Sequence, residues 1–245
     1  MTEDGPRASD ARFGARAALA ALALVLVAVP FGLLLFLVKA RWSPLVDVDE
    51  GVRDALNDYA AGHDGFVTAM KVLEVLGSAV VYVPLLALVA LWLLRQGLPR
   101  PALFVVVTVA ASPLINRLVK ALVDRSRPVL PDPVARAEGL SFPSGHAQSS
   151  MVVASVLLLV LLPLLHGRRR TIALVLAAAW VLAIGFSRGA LGVHYVTDVL
   201  AGYVLGAAWV AAMAAAFRSW RRERGRPEVD AEEGLEPERL ARAGG

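Results

Sequence analysis

Three short polar segments in an otherwise apolar chain carry the residues whose types and spacing suit chemistry. The first combines a lysine with an arginine seven residues later, the second is a turn that contains a histidine, and the third combines an arginine, a histidine and an aspartate. In chain order the segments are Lys120…Arg127-Pro128, Pro143-Ser144-Gly145-His146 and Ser187-Arg188…His194…Asp198. Such groups can hold an anion and transfer protons or a phosphoryl group at it.

The predicted anion site uses three cationic side chains, Lys120, Arg127 and Arg188. Two arginines can grip a phosphate through paired N–H donors, and a lysine adds a point charge. Ser144 is predicted to cap the helix that follows it, and a helix start offers free N–H groups and the positive end of the dipole. Gly145 allows the backbone to approach the anion closely. Together these residues predict a phosphate cradle that does not need a metal ion.

Two histidines complete the predicted site. His194 and Asp198 are four residues apart, so we expect them to share one face of a helix. A carboxylate bonded to one ring nitrogen leaves a lone pair on the other and stabilises positive charge on the ring, which predicts that His194 is a nucleophile. His146 is predicted to donate a proton to the leaving oxygen and then to act as base on the incoming water.

Each motif taken alone also has a structural interpretation. The Pro-Ser-Gly-His turn is typical of an ordinary helix cap, and an isolated His194 is more often structural than catalytic. Lys120 and Arg127 suit interfacial side chains that extend their charges into water. Asp198, however, lies one turn into an apolar span, where an ionisable side chain usually has a function. The occurrence of all three motifs in order, at one membrane level, favours a single site.

Long apolar runs must position these motifs. The chain has 245 residues, 57% of them hydrophobic, and its mean hydropathy is +0.61. Soluble domains are about 45–50% apolar, and about 20 apolar residues span a bilayer as a helix. We therefore predict an all-α polytopic membrane protein, with one six-helix domain at 17–217 between disordered tails at 1–16 and 218–245. The predicted spans are 17–38, 66–94 with a break at 77–78, 101–123, 146–166, 171–186 and 194–217.

Basic residues predict how the spans are oriented. Arginines are concentrated in both tails and in the turns at 95–100 and 167–170, all on one side of a six-span bundle. That side is predicted to be cytoplasmic, which places both termini in the cytoplasm and the three motifs at the outward face of the cell membrane. Between the first two spans, apolar residues at helical spacing predict an amphipathic helix, either on the membrane surface or solvated. Lys71 and Glu74 in the next helix are predicted to pair.

Composition argues against several other functions. The net charge of +4 is modest, and no basic face with interleaved aromatic residues predicts a nucleic-acid partner. The chain has no cysteine, which excludes a disulfide framework, a thiol nucleophile and a thiolate metal site. Nothing in the sequence indicates an oligomeric state.

The three motifs together resemble the signature of the type 2 phosphatidic acid phosphatase family, which includes vanadate-binding haloperoxidases and bacterial polyprenyl diphosphate phosphatases. The resemblance covers residues 66–217, and no signature position departs from the pattern. It implies a six-helix membrane fold, a phosphohistidine intermediate on His194, acid–base catalysis by His146, and no required metal or other cofactor. It also implies lipid phosphate substrates presented from the outer leaflet of the bilayer.

We therefore expect a metal-independent lipid phosphatase or diphosphatase. Phosphatidate, phosphatidylglycerol phosphate and undecaprenyl diphosphate are all candidate substrates, because the cradle binds the phosphate while the membrane holds the tail. Two alternatives are vanadate-dependent haloperoxidase activity in the same cradle and a catalytically silent lipid binder or transporter. The presence of both histidines and Asp198 argues against a silent site, because binding alone needs no nucleophile.

Overall fold

The computed structural model of the protein describes residues 29–222, and all regular secondary structure in this range is helical. A short 3-10 helix, Leu162–Leu164, extends the sixth α-helix. The α-helices are α1 (Val29–Lys39), α2 (Ser43–Ala61), α3 (Asp64–Leu76), α4 (Ala79–Arg95), α5 (Pro99–Val123), α6 (Gly145–Leu161), α7 (Arg168–Ala190) and α8 (Val196–Arg222).

Five helical segments are long and apolar enough to cross a bilayer, and a sixth is added if the bent pair α1 and α2, which meet at 87°, is counted as one span. The five are Asp64–Arg95, Pro99–Val123, Gly145–Leu164, Arg168–Ala190 and Val196–Phe217. An all-α, multi-span membrane fold is therefore confirmed. Residues 1–28 and 223–245 lie outside the described range, and with them the predicted N-terminal tail, the start of the first span and most of the C-terminal tail.

The second spanning segment is broken where the sequence predicted a break. α3 ends at Leu76, and Ser78 has extended backbone as the N-cap of α4. A Cβ on Gly77 would lie 2.7 Å from Ile184 Cγ2, so the missing side chain lets α7 pack close to the break. This contact places α3 beside the end of α7 that carries Arg188.

Two glycines set the distance between α6 and α8, which pack along each other in the bundle. A Cβ on Gly202 would lie 2.6 Å from the carbonyl oxygen of Ser144, and one on Gly206 would lie 2.8 Å from that of Gln148. Small residues four apart allow membrane helices to approach backbone to backbone. The Pro-Ser-Gly-His turn at the start of α6 is therefore held directly against the first turns of α8.

Several helix ends differ from the prediction. The predicted fifth span ended at 186, before Ser187-Arg188, but α7 continues to Ala190 and carries Arg188 in its last turn. A cation near a helix C-terminus interacts favourably with the dipole, so a change to polar residues does not by itself end a helix. The predicted sixth span began at His194, but α8 begins at Val196 and His194 lies in the loop before it. At its other end α8 continues to Arg222, beyond the predicted end at 217.

The predicted amphipathic helix between the first two spans is present as α2, which packs against α7 and α8. Its apolar stripe contains one acid, Asp49, whose exposed fraction is only 1%. The residues that form the rest of the stripe are Leu45, Val48, Val52, Leu56 and Tyr59. An acid in the stripe of a helix is buried only if it has partners inside the protein, and those partners belong to the site described next.

Candidate active site

Lys120 and Arg127, two of the cations predicted to bind phosphate, donate hydrogen bonds to the loop between α5 and α6. The Lys120 ammonium, in the last turn of α5, donates hydrogen bonds to the backbone carbonyls of Leu140 and, at 3.1 Å, Ser141. Arg127 Nε donates to the carbonyls of residues 138 and 139, at 3.1 and 3.0 Å. The cations thus shape the loop, and the terminal nitrogens of Arg127 extend into the site.

Ser144 caps α6, as the sequence predicted. Its Oγ accepts a hydrogen bond from the Ala147 N–H at 3.5 Å, and its own N–H donates to the backbone carbonyl of Asp198 at 2.9 Å. α6 begins at Gly145, so His146 lies in its first turn. The hydrogen bond from Ser144 to Asp198 therefore holds the start of α6, with its free N–H groups and His146, against the start of α8.

His194 and Asp198 are in contact, although not through the face of one helix as predicted. His194 Nδ1 lies 3.4 Å from Asp198 Oδ2. Because α8 begins at Val196, Asp198 is the third helical residue, and its Oδ2 accepts the N–H of the capping residue Tyr195 at 2.9 Å. The Ser141 hydroxyl donates to the same oxygen. The turn before α8, rather than helical periodicity, brings the histidine to its acid.

The second ring nitrogen of His194 faces Arg127. Arg127 Nη1 lies 3.2 Å from His194 Nε2 and also donates to the carbonyl of Val193 at 2.8 Å. A guanidinium N–H can only donate, so Nε2 must present its lone pair. The Asp198 carboxylate can only accept, so Nδ1 carries the proton. The two contacts select the same tautomer, in which Nε2 is free to act as a nucleophile.

Electrostatics keep this histidine neutral. Burial lowers the pKa of His194 to about 4; Asp198 opposes the shift, while Arg127 and Lys120 add to it. Burial and the neighbouring Arg188 guanidinium likewise lower the pKa of Arg127. Three cations therefore lie close enough to repel one another around a neutral imidazole, which favours binding of an anion among them.

Arg188 is buried in the last turn of α7, with an exposed fraction of 2%. Its Nη1 lies 2.7 Å from Oε1 of Glu74 on α3. The sequence predicted that Glu74 pairs with Lys71, and this was wrong, because the carboxylate contacts Arg188 instead. Within residues 29–222, Arg188 Nε makes no hydrogen bond. The guanidinium is thus held by one carboxylate and retains donors for an anion.

His146 is close to the same cations. Both Arg188 and Arg127 act on it electrostatically, and its Nε2 is buried without a hydrogen-bond partner in the described part of the chain. His146 also lines a cavity of about 390 Å³, together with Lys120 and Gly145. Tyr82 and other residues of the spanning helices form the remaining wall. The end of the bundle that holds the motifs therefore opens into a space between spanning helices.

Two residues of this region were missed by the sequence analysis. Arg125 donates from Nη1 to Asp198 and from Nη2 to Asp49, in both cases at 2.8 Å. Two signals could have found them. Arg125 is a further arginine on the side predicted to be poor in basic residues, and Asp49 interrupts the apolar stripe of α2. The described residues contain no cluster of three His, Cys, Asp or Glu side chains that could hold a metal ion.

Comparison with known proteins identifies a family for the part of the chain that carries the motifs. The family model of the PAP2 superfamily matches residues 101–222, from the start of α5 to the end of α8, and this stretch contains all three motifs. The chain belongs to the PAP2 superfamily. The predicted resemblance is therefore confirmed.

Two curated relatives of this PAP2 protein are phosphatases. Phosphatidylglycerophosphatase B of Bacillus subtilis (strain 168) is 31% identical over 134 residues, which cover 54% of this chain and 65% of the relative. Lipid A 4'-phosphatase of Bacteroides thetaiotaomicron is 32% identical over 142 residues, which cover 52% of this chain and 60% of the relative. The chain thus matches less than two thirds of the length of either relative.

A solved structure has the same fold. The crystal structure of a transmembrane PAP2-type phosphatidylglycerolphosphate phosphatase from Bacillus subtilis superposes with a TM-score of 0.68. The superposition covers 79% of this chain and 97% of the other, at 23% sequence identity. At this identity the likeness concerns the arrangement of the helices.

Proposed function

We propose that this protein is a membrane lipid phosphatase that hydrolyses a phosphomonoester or diphosphate of a lipid through a phosphohistidine at His194. One observation carries the proposal: His194 Nδ1 faces the Asp198 carboxylate while Nε2, 3.2 Å from Arg127 Nη1, presents its lone pair among cations. A neutral, oriented imidazole beside positive charge is what attack on an anionic phosphorus requires.

In the first step, His194 Nε2 attacks the phosphorus and displaces the hydrogen bond from Arg127. A P–N bond forms, the bond from phosphorus to the lipid oxygen breaks, and His146 protonates the leaving oxygen. Arg127, Arg188 and Lys120 stabilise the charge on the remaining phosphoryl oxygens, and the free N–H groups that follow Ser144 add donors at the helix start. The imidazole becomes cationic, and the Asp198 carboxylate stabilises that charge.

In the second step, His146, now neutral, takes a proton from water. The water oxygen forms a bond to phosphorus as the P–N bond breaks, which releases inorganic phosphate, or the phosphate of a diphosphate, and restores His194. The same cradle of Lys120, Arg127 and Arg188 serves both transition states, because each carries its negative charge on the same three oxygens. None of these steps asks for a metal ion.

A lipid is the proposed substrate because the site lies at one end of a membrane bundle and adjoins a cavity between spanning helices. The two curated relatives are named for phosphatidylglycerophosphate and lipid A, both lipid phosphates. Phosphatidate, phosphatidylglycerol phosphate and undecaprenyl diphosphate are the substrates we propose to compare. The distribution of arginines further supports an outward-facing site with both termini in the cytoplasm.

The test is phosphate release by purified protein in detergent from each of these lipids and from lipid A, with and without a chelator. We expect release from at least one lipid, unchanged by the chelator, and loss of release in His194→Ala and His146→Ala. His63→Ala is the matched control, because His63 is exposed and lies outside the site. Acid-labile radiolabelled phosphate on the wild type, absent from His194→Ala, identifies the intermediate. Equal release by wild type and His194→Ala on every lipid would refute the proposal.

A further inference from the structure

The geometry points to Arg125 and Asp49 as positioning residues that fix the Asp198 carboxylate behind the histidine, an inference that rests on the proposed function. Neither is one of the residues that define the three motifs, although Arg125 lies between Lys120 and Arg127. Arg125 lies in the loop after α5 and Asp49 on α2, so they reach Asp198 from two separate elements. Arg125 donates to the Asp198 carboxylate directly, and Asp49 accepts from Arg125.

Arg125 holds the oxygen of Asp198 that does not face the histidine. Its Nη1 donates to Oδ1 at 2.8 Å, whereas Oδ2 faces His194 and accepts hydrogen bonds from Ser141 and the Tyr195 N–H. Asp198 is completely buried, with an exposed fraction of 0%. With both oxygens bonded the carboxylate cannot rotate, and Oδ2 stays directed at His194. A buried carboxylate also needs this adjacent cation in order to remain charged.

Asp49 in turn holds Arg125. Its Oδ2 accepts from Arg125 Nη2 at 2.8 Å, and the same carboxylate accepts both the N–H and the hydroxyl of Thr197, at 3.0 and 2.5 Å. Thr197 is the second residue of α8, whose N–H has no partner within its own helix. Asp49 therefore fixes the start of α8 and the guanidinium with one side chain. The face of Tyr195 packs on the guanidinium, with Cζ at 4.1 Å from the ring centroid.

The position of Arg125 separates it from the phosphate cradle. Arg127, two residues later, bonds His194 Nε2, whereas Arg125 reaches Asp198 from the far side. Arg125 and Asp49 also line a different cavity, of about 320 Å³, which includes Lys39 at the end of α1. The two arginines thus act on opposite sides of the His–Asp pair. One binds where the phosphoryl group arrives, and the other sets the orientation of the acid.

A positioning role predicts a specific kinetic change. Without Arg125 or Asp49 the phosphate cradle remains, so the substrate binds as before, but Asp198 no longer holds His194 in one tautomer and orientation. Loss of a residue that orients a ligand or catalytic group through a hydrogen bond typically costs about 10–100-fold. We therefore expect kcat to fall by about 10–100-fold in Arg125→Gln and Asp49→Asn, with little change in KM.

The experiment compares Arg125→Gln, Arg125→Lys, Asp49→Asn and the double variant on the best lipid substrate. Kinetic constants are measured together with competitive inhibition by inorganic phosphate, which probes the cradle without forming a bond to His194, and with the rate of phosphoenzyme formation. Asp49→Asn keeps an oxygen that can accept a hydrogen bond from Thr197, and Arg125→Lys keeps a positive charge near Asp198. These conservative variants separate an effect on positioning from a loss of folding. Arg136→Gln is the control, an exposed arginine of the same loop, and we expect wild-type constants for it.

We expect lower kcat and slower phosphoenzyme formation with unchanged inhibition by inorganic phosphate. Arg125→Lys should recover part of the rate, and the loss in the double variant should not exceed the product of the two single losses. Wild-type kcat in both Arg125→Gln and Asp49→Asn would overturn the inference. So would a loss of inhibition by inorganic phosphate in parallel with kcat, which would assign both residues to the cradle or to folding. His194→Ala is measured alongside: if it retains phosphate release, the proposed function itself fails, whichever result Arg125 gives.

Discussion

Gly202 gives a direct test of whether the distance between α6 and α8 controls the chemistry. His146 lies in the first turn of α6, Asp198 in the first turn of α8 and His194 in the loop just before α8. This distance therefore separates the proposed proton donor from the proposed nucleophile. In Gly202→Ala the added Cβ would lie 2.6 Å from the carbonyl oxygen of Ser144 and 2.9 Å from Ala147 Cβ. Both atoms are anchored in the first turn of α6, so they cannot swing away as a long side chain would.

The size of the effect follows from these distances. Real Cβ atoms keep at least 3.0 Å, and usually more than 3.4 Å, from such neighbours, so the two helix starts must separate by about 0.4–0.8 Å. A misplacement of about 1 Å at a catalytic site can cost about 100-fold in rate. We therefore expect kcat in Gly202→Ala to fall by about 10–100-fold, together with overpacking that destabilises the protein by about 1–3 kcal/mol.

The assay is phosphate release at a temperature well below the melting transition, with unfolding in detergent followed in parallel. Gly65→Ala is the matched control, because a Cβ at Gly65 would have no atom within 4 Å. It is expected to keep wild-type kcat. A folded Gly202→Ala variant with the same kcat as Gly65→Ala would show that the approach of α6 and α8 does not set the geometry of the site.

Three further predictions concern the proposed catalytic groups. In kcat/KM, which does not include the second step, His146→Ala should lose about 100–10,000-fold on a lipid phosphomonoester. The loss should be smaller on an aryl phosphate, whose leaving oxygen needs no proton, and equal losses on both would contradict the role as acid. Because the pKa of His194 is lowered to about 4, its neutral form persists as pH falls. On an aryl phosphate, whose leaving oxygen needs no proton from His146, kcat/KM corrected for substrate ionisation should therefore stay nearly constant between about pH 6.5 and 5.5. An ordinary histidine nucleophile would lose about fivefold over the same range, and a decline that starts at the ordinary histidine pKa would refute this. Glu74→Gln removes the only carboxylate that contacts Arg188 within residues 29–222. Because the guanidinium then loses its orientation, KM should rise and orthovanadate inhibition should weaken, each by about tenfold. Unchanged inhibition would show that Glu74 does not orient Arg188.

Hydropathy and turn chemistry were sufficient to predict the five spanning segments from α3 to α8, the break at Gly77 and the cap at Ser144. These features depend on local sequence, because a bilayer requires long apolar helices and a helix start requires a capping group. The end of α7 and the start of α8 were missed for the opposite reason. Arg188 is compatible with a helix because Glu74 compensates its charge, and α8 starts at Val196 because Asp198 accepts the N–H of Tyr195. Both partnerships depend on the tertiary structure.

The side chains around Asp198 illustrate the same limit. The spacing of His194 and Asp198 correctly placed them in contact, but for the wrong reason, since a turn rather than a helix face joins them. Asp49 lies 149 residues before Asp198 in the chain, and its hydrogen bond to Thr197 spans 148 positions. No local pattern reports such a contact. An acid within an apolar stripe indicates that a buried partner exists, but it does not identify that partner.

The fastening of α8 has a consequence for how the protein becomes active during its synthesis. Asp49 on α2 accepts the free N–H of Thr197, and the carbonyl of Asp198 accepts the Ser144 N–H from α6. Because α5 and α7 precede α8 in the chain, Lys120 and Arg188 are synthesised before His194, the proposed nucleophile. A nascent chain that ends with α7 would contain Lys120, Arg127 and Arg188 but neither His194 nor Asp198. On the proposed mechanism, hydrolysis therefore requires that α8 has docked on the rest of the bundle, so an incompletely assembled protein would not act on the lipids around it.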